Sequence, residues 1–522
     1  MLNPMHPVLT MKRLFLLLAL SFPLVLSAQT STVSATRILL IPLDDRPPCL
    51  QFPVRMGQIA DVELVSPPRK LLGRFTQHGK SDKIIDWLRQ QNLERFDAAI
   101  ISLDMLAYGG LVGSRVHATP VAQAVERVAI IRELRRKAPK LKIYGSSVIM
   151  RLAPTADGKN EAYREKLSRW AEVSPYAEEK EVTASLEKDI PAEALTDYKQ
   201  ARERNLRLNR LAVELTKDKV FDYLILSQDD AKPRGVHVSD REALTKLVAS
   251  EKLTETVAIQ PGADEVSMLL LARAVSDKFN YHPKVKAVFS TEAVADKVMP
   301  FEDRPLRKTV SFHLKAVGAR EVTDIRQADI VFFVFATRHE PGSSAKFANE
   351  VTDFSKKNGS KGIILADVDP KGDVQGGDIP FTEQLQKAGI FSKIYGYASW
   401  NTAGNVIGTA LPHGIVYGAS QRFGNTKATA PRRAAAQTWF TLNRLLDDYA
   451  YHSIVRPDAQ NRIRERGWNP YRLTDEQTRL VEDECGKEMQ KQATRFSPHV
   501  TNLTFDLPWN RTFEAEIDFT LN

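Results

Sequence analysis

Short runs of β-branched and other apolar residues alternate with longer amphipathic stretches from residue 36 to about residue 420. Strands joined by helices form parallel sheets, because a parallel connection needs a long crossover. The alternation therefore predicts an α/β fold. The strand candidates are Arg37–Leu43, Val62–Val65, Ala98–Leu103, Lys142–Ile149, Tyr223–Leu226, Thr256–Ile259, Lys286–Phe289, Glu321–Thr323, Ile330–Phe335, Gly362–Ala366, Lys393–Tyr397 and Gly414–Val416.

These twelve candidates exceed the eight strands of a simple (β/α)8 barrel. We expect two doubly wound parallel-sheet domains, residues 36–282 and 283–425, with a single (β/α)8 barrel with extensions as the alternative. Amphipathic periodicity predicts helices in segments such as Ala122–Lys137 and Asp197–Thr216. Residues 155–220 are highly charged and helical in pattern, which suggests an excursion from the first sheet that could act as a cover.

The pattern changes after residue 430. Two helical segments follow, Arg432–Tyr451 and Thr474–Arg495, and then Pro508–Phe519, which contains the alternating apolar and polar residues of a half-buried strand. We expect residues 430–522 to form a C-terminal extension of helices and a strand.

The first residues have the order of a secretory signal peptide. Lys12 and Arg13 precede the apolar run Leu14–Leu26 and the small residues that follow it. That run is short for a membrane span, so we expect residues 1–28 to be cleaved near Ala28, with an uncleaved anchor as the alternative. The protein is then periplasmic or secreted, with no membrane span after cleavage. Cys49 and Cys485 could pair in that oxidising compartment.

Composition narrows the function classes. Lys and Arg (73) exceed Asp and Glu (64) only slightly and without a basic tail, so a nucleic acid partner is not expected. The chain has no Gly-x-Ser-x-Gly elbow and no His-Glu-x-x-His zinc motif. Carboxylate-bound Mg or Ca stays possible.

Carboxylates follow five of the predicted strands. Ligands bind at the carboxyl ends of parallel strands, because the loops there meet at one edge of the sheet. Each acid could instead cap a helix or shape a turn, since Asp is favoured at both. The acids are Asp44 and Asp45, Asp104, Asp229 and Asp230, Asp264 and Glu265, and Asp367 with Asp369.

Asp229 and Asp230 form the sharpest of these motifs. They follow an apolar strand directly, and adjacent side chains of an extended chain point to opposite faces. One acid is therefore able to meet a substrate while the other supports it. Lys232 and Arg234, just beyond, either hold an anionic group or are solvated surface residues.

Two further motifs point to binding. Asp44, Asp45 and Arg46 precede two prolines, which make the loop rigid and suited to positioning. Trp400 and Asn401 combine an apolar ring with an amide, a common means of holding a sugar. Trp400 is equally compatible with the core.

The motifs Leu43-Asp44-Asp45-Arg46-Pro47, Ser227-Gln228-Asp229-Asp230-Ala231 and Gly396-Tyr397-Ala398-Ser399-Trp400-Asn401, among others, resemble the bacterial family DUF4127. The resemblance extends from about residue 36 to the C terminus and implies a protein of a bacterial family whose members are often exported, but it implies no activity.

The order of Asp229-Asp230 and Trp400-Asn401 is also similar to that in O-GlcNAcase-type glycoside hydrolases. This similarity implies that Asp229 polarises a substrate acetamide and that Asp230 protonates the leaving oxygen.

We therefore expect an exported hydrolase that uses the paired carboxylates Asp229 and Asp230 on a carbohydrate or cell-envelope glycan, with no cofactor required. The alternatives are a metal-dependent hydrolase of phosphate or acyl esters, in which the acids bind Mg or Ca, and a non-catalytic periplasmic ligand-binding protein. The supporting or binding candidates are Asp44, Asp45, Arg46, Asp104, Lys232, Arg234, Asp264, Glu265, Trp400 and Asn401.

Overall fold

Six parallel strands form the first sheet of the computed structural model, which describes residues 36–423 and 429–522. The predicted signal peptide lies outside these residues. The strands are β1 (Thr36–Ile41), β2 (Val62–Val65), β3 (Ala98–Ser102), β4 (Lys142–Ile149), β5 (Tyr223–Gln228) and β6 (Val257–Pro261). Their spatial order is β2-β1-β3-β4-β5-β6, so the winding direction reverses at β1.

Five parallel strands form the second sheet: β7 (Lys284–Phe289), β8 (Arg320–Glu321), β9 (Ile330–Phe335), β10 (Gly362–Asp367) and β11 (Gly396–Ala398). Their order, β11-β10-β9-β7-β8, repeats the winding of the first five strands of the first sheet. The expectation of two doubly wound parallel sheets is confirmed. The barrel alternative is wrong, because neither sheet closes within the described residues.

Helices cover both sheets. In the first half these are α1 (Gln51–Gln58), α2 (Ser81–Arg89), α3 (Leu103–Tyr108), α4 (Leu111–Ser114), α5 (Val121–Val128), α6 (Ile130–Lys137), α7 (Arg164–Val173), α8 (Lys180–Asp189), α9 (Ala192–Lys217), α10 (Val236–Ser250) and α11 (Val266–Phe279). The second half adds α12 (Glu292–Ala295), α13 (Leu306–Ala316), α14 (Ser343–Lys357), α15 (Ile379–Lys387) and α16 (Ala403–Phe423). Single 3-10 turns occur at Arg69–Leu71, Leu93–Arg95, Ala177–Glu179 and Ile325–Gln327.

One apolar layer is shared by the two sheets. Ile100 and Ile225 from the first sheet, and Phe332 and Ile364 from the second, belong to the same core cluster as α11 and α16. The opposite face of the first sheet packs mainly on α2, α3, α5, α6 and α9, and that of the second on α14 and α15. The shared layer holds the carboxyl ends of the two sheets next to each other.

The predicted strand Gly414–Val416 is wrong, since these residues lie inside α16. Nearly all of α16 is buried, so its sequence is apolar on every side and lacks the amphipathic period of a surface helix. A short apolar run of this kind does not distinguish a strand from a buried helix.

The C-terminal extension is confirmed. It contains α17 (Ala430–Arg444), a π-helix (Leu445–Val455), α18 (Arg456–Glu465), α19 (Asp475–Phe496) and an antiparallel pair, β12 (Val500–Asp506) and β13 (Glu516–Leu521). The terminal strand therefore begins later than residue 508, and β12 was not predicted. Cys49 and Cys485 are both buried and unpaired, without a disulfide. Within the described residues, none of the helices combines the length and apolar character needed to cross a bilayer.

Candidate functional site

A cavity of about 530 Å³ lies between the carboxyl ends of the two sheets. Loops after β1, β3, β4, β5 and β6 form one side of its wall, and the loop between α12 and α13 and the loops after β10 and β11 form the other. Residues at the start of the predicted cover, residues 155–220, and residues of the C-terminal extension complete this wall. Its polar and charged lining includes Arg46, Arg115, Arg151, Arg164, Asp229, Asp230, Asp264, Glu302, Gln375, Asn401 and Arg511.

Asp229 is held by a guanidinium group from a neighbouring loop. The Nη2 atom of Arg115, which follows α4, donates to the Asp229 carboxylate at 2.6 Å, and both side chains are buried. Burial alone raises a carboxyl pKa, but the charges of Arg115 and Arg151 outweigh it and hold the pKa of Asp229 below its usual range. Asp229 is therefore an ionised carboxylate inside the cavity.

Asp230 pairs with a different arginine from its neighbour. The Nη1 atom of Arg151 donates to it at 2.7 Å, and its side chain remains 38% exposed. Partial burial and the adjacent Asp229 charge raise the pKa of Asp230, although Arg151 acts in the opposite direction. The two neighbouring acids thus have pKa values pushed apart, which is the usual arrangement of a base beside a proton donor.

Asp264, in the loop after β6, is joined to Asp44 through Arg46. The guanidinium donates to Asp264 at 2.6 and 3.0 Å and to Asp44 at 2.7 Å, all in buried surroundings. Burial and the Asp44 charge raise the pKa of Asp264 to about 6, against the effect of Arg46. The loops after β1 and β6 are therefore tied together by one buried ion triad.

Among the described residues, Cys49 and the two acids of this triad form the group that comes nearest to a metal site. Ligand atoms of Asp44, Cys49 and Asp264 lie within 4.8 Å of one another. The Arg46 guanidinium already binds both carboxylates, and burial raises the pKa of the Cys49 thiol, which keeps it protonated. Mg and Ca prefer a shell of oxygen ligands, so these three residues do not fit such an ion.

Glu302 is a cavity residue that the sequence did not indicate. It lies in the loop between α12 and α13, where its Oε1 accepts a hydrogen bond from the Gly404 amide at 2.8 Å. Its buried Oε2 has no hydrogen-bond partner among the described residues. Burial raises the pKa of Glu302 to about 8 despite the Gly404 bond, so it is protonated at neutral pH. The sequence analysis selected acids that directly follow a predicted strand. Glu302 does not follow one, and so it was not identified.

Glu302 should make stability depend on pH. The folded protein keeps its proton up to about pH 8, whereas the unfolded chain ionises near 4.5. Between these values the unfolded state binds fewer protons, so the free energy of unfolding falls as pH rises. Glu302→Gln keeps the carbonyl acceptor for Gly404 and removes the titration. Relative to the wild type, the free energy of unfolding of the variant should therefore rise by up to about 1.4 kcal/mol per pH unit across this window.

Urea denaturation at several pH values measures this difference. Glu94→Gln, at an exposed position, is the control and should follow the wild type. Parallel curves for Glu302→Gln and the wild type would show that Glu302 is not buried as a neutral acid.

Asp44 does not line the cavity, and three further predicted acids also lie behind or beside it. Asp45 is buried and accepts a hydrogen bond from the Trp509 indole at 2.7 Å. Asp104 is buried beneath the sheet edge, where desolvation raises its pKa to about 7 in spite of a hydrogen bond from the Val148 amide. Glu265 is fully buried and accepts a hydrogen bond from Asn405 at 2.6 Å. These groups support the site rather than line it.

The remaining predicted residues divide between the surface, the core and the cavity. Lys232 pairs with Glu172 at 2.8 Å and Arg234 with Glu178 at 2.9 Å, both at the surface. Trp400 is buried against Phe52, so the structure places it in the core. Asn401 lines the cavity with a left-handed backbone, φ 60°.

Trp509, and not Trp400, is the tryptophan that lines the cavity. Together with Phe301, Tyr471 and Phe513 it supplies aromatic surface to the cavity. Its ring also stacks on the Arg46 guanidinium, with 4.5 Å between the guanidinium carbon and the ring centroid. Aromatic faces beside polar groups suit the alternating apolar and hydroxyl surfaces of a sugar.

Replacing Trp509 by Phe should lower the free energy of unfolding by about 1–3 kcal/mol, because Asp45 loses its buried hydrogen-bond donor. Urea denaturation of the single variants and of Trp509→Phe combined with Asp45→Asn gives a double-mutant cycle. We expect a coupling energy of about 1 kcal/mol between the two positions. Strict additivity would contradict the importance of this bond.

Comparison with known proteins gives a family but no activity. A family model described as "Protein of unknown function (DUF4127)" matches residues 38–518. No curated protein matches the chain.

Proposed function

The chain belongs to the DUF4127 family, and we propose that it is an exported hydrolase whose paired carboxylates, Asp229 and Asp230, cleave a carbohydrate, such as a cell-envelope glycan. Export rests on the predicted signal peptide, residues 1–28. The family description names no activity, so the proposal depends on the chemistry of the cavity.

The proposed hydrolase function depends on one observation, the pair of acids in the cavity. Two adjacent carboxylates open into one cavity, and each is held by its own arginine, Arg115 for Asp229 and Arg151 for Asp230. Asp229 is the more buried and stays ionised, while Asp230 is the more exposed and has the higher proton affinity. General acid–base hydrolysis needs both states at once.

The roles follow from these environments. Asp230 donates a proton to the leaving oxygen as the glycosidic bond breaks. Asp229 stabilises or orients the group that attacks the sugar carbon, and water supplies the hydroxyl of the product. The exposed aromatic side chains of the cavity wall, Phe301 and Tyr471, would hold the ring.

A panel of chromogenic aryl glycosides tests the proposal, beginning with N-acetylhexosaminides and including uronides. We expect the enzyme to release the aryl group from at least one of these glycosides. This activity should persist in the presence of EDTA. EDTA-sensitive turnover of phosphate or acyl esters, without cleavage of any glycoside, would favour the metal-dependent alternative instead. Ligand binding without turnover of either class would favour the periplasmic binding protein.

A further inference from the structure

Arginine is unusually abundant in the wall of the cavity. Five arginines line it, against four acidic side chains. Three of the acids are already paired within the protein: Asp229 with Arg115, Asp230 with Arg151 and Asp264 with Arg46. The fourth, Glu302, is neutral at pH 7, because burial raises its pKa to about 8. Of the two arginines that have no partner among the cavity acids, Arg511 pairs with Glu514 at 2.6 Å, which leaves Arg164.

Arg164 is the arginine that remains. It begins α7 and is half-buried, and its Nε donates to the Pro154 carbonyl at 3.1 Å. It forms no ion pair with any described residue, although it lines the same wall as Arg151. The two terminal nitrogens of its guanidinium are thus available to a ligand.

The neighbouring charges make this position favourable for an anion. Burial and the positive charge of Arg151 lower the pKa values of both Arg115 and Arg164. A guanidinium nevertheless stays charged in proteins. Three guanidinium groups, Arg115, Arg151 and Arg164, are therefore brought together with only two carboxylates, Asp229 and Asp230, and a bound oxyanion would relieve their repulsion.

We propose that the substrate of the hydrolase is an anionic sugar, whose carboxylate or phosphate group binds Arg164. This inference rests on the proposed function for its location and extends it to the chemical class of substrate. A planar guanidinium binds either oxyanion through two parallel hydrogen bonds. Arg164 is then the specificity-determining residue, and it lies at the start of the segment predicted to cover the first sheet.

Calorimetric titration of the purified protein tests the proposal with three probes: methyl β-D-glucuronide, glucose 6-phosphate and methyl β-D-glucoside. We expect at least one anionic probe to bind about tenfold or more tightly than the neutral glucoside. Arg164→Gln should remove that preference without weakening the binding of the glucoside, and Arg164→Lys should retain part of it. Arg169→Gln is the matched control, since Arg169 lies on the same helix, outside the cavity wall, and pairs with Glu172.

Equal affinity for the neutral and anionic probes, no binding of any probe, or an unchanged preference in Arg164→Gln would overturn the inference. Its failure can be distinguished from failure of the proposed function. Cleavage of neutral glycosides alone would support the proposed hydrolase function and contradict the recognition of an anionic substrate. Arg164-dependent binding without cleavage of any glycoside would support anion recognition and contradict the hydrolase function.

Discussion

Asp230→Asn is expected to lower kcat for an unactivated glycoside by about 10²- to 10⁴-fold, the usual contribution of a general acid. The amide keeps the shape of the side chain and still contacts Arg151, but it cannot deliver the proton that the leaving oxygen needs. Steady-state kinetics on the best glycoside of the panel, with urea denaturation to confirm folding, measures the effect.

The leaving group supplies an internal control. A 2,4-dinitrophenyl glycoside departs without protonation, so Asp230→Asn should slow its cleavage far less. Asp229→Asn should slow both substrates, because it alters the group beside the attacking atom. Asp86→Asn, at an exposed position on α2, should change neither rate. An equal loss on both substrates in Asp230→Asn would contradict its role as proton donor.

Arg46→Met should destabilise the protein by about 3–5 kcal/mol, because it leaves Asp44 and Asp264 buried without their shared counter-charge. The substitution also removes the stacking of Arg46 on Trp509. Urea denaturation at pH 7 measures the loss of unfolding free energy.

The matched control is Arg326→Met, whose guanidinium pairs with Asp324 at the surface and is 87% exposed. That change should cost less than about 1 kcal/mol. Adding Asp44→Asn and Asp264→Asn to Arg46→Met should recover part of the lost stability. A cost of Arg46→Met no larger than that of the control would mean that the triad does not hold the loops together.

Much of the fold could be predicted from local patterns. Strands such as Val62–Val65 and Lys142–Ile149 have the observed bounds, because both are short runs bounded by turns. α16 could not be recognised, since a helix buried on all sides has no amphipathic period. The repeated winding of the two sheets is a property of the spatial order of the strands. The hydrophobic periodicity of the sequence carries no information about that order.

The site could be predicted where an acid directly follows a strand. Asp229, Asp230 and Asp264 meet in one cavity for that reason. Asp45 shares this sequence context yet turns towards Trp509, which depends on the packing of residues more than 460 positions away in the chain. The arginines that set the pKa values of the acids, Arg115 and Arg151, also come from distant loops. Charge pairing across such distances leaves no signal in one sequence.

The pH dependence of kcat/KM tests the central claim most directly, since that claim assigns a lower pKa to Asp229 than to the neighbouring Asp230. We predict a bell-shaped profile for the wild type, with an acidic limb as Asp229 becomes ionised and an alkaline limb as the proton donor loses its proton. On the same unactivated glycoside, the residual activity of Asp230→Asn should retain the acidic limb and lose the alkaline one. An alkaline limb that survives in Asp230→Asn would contradict the account.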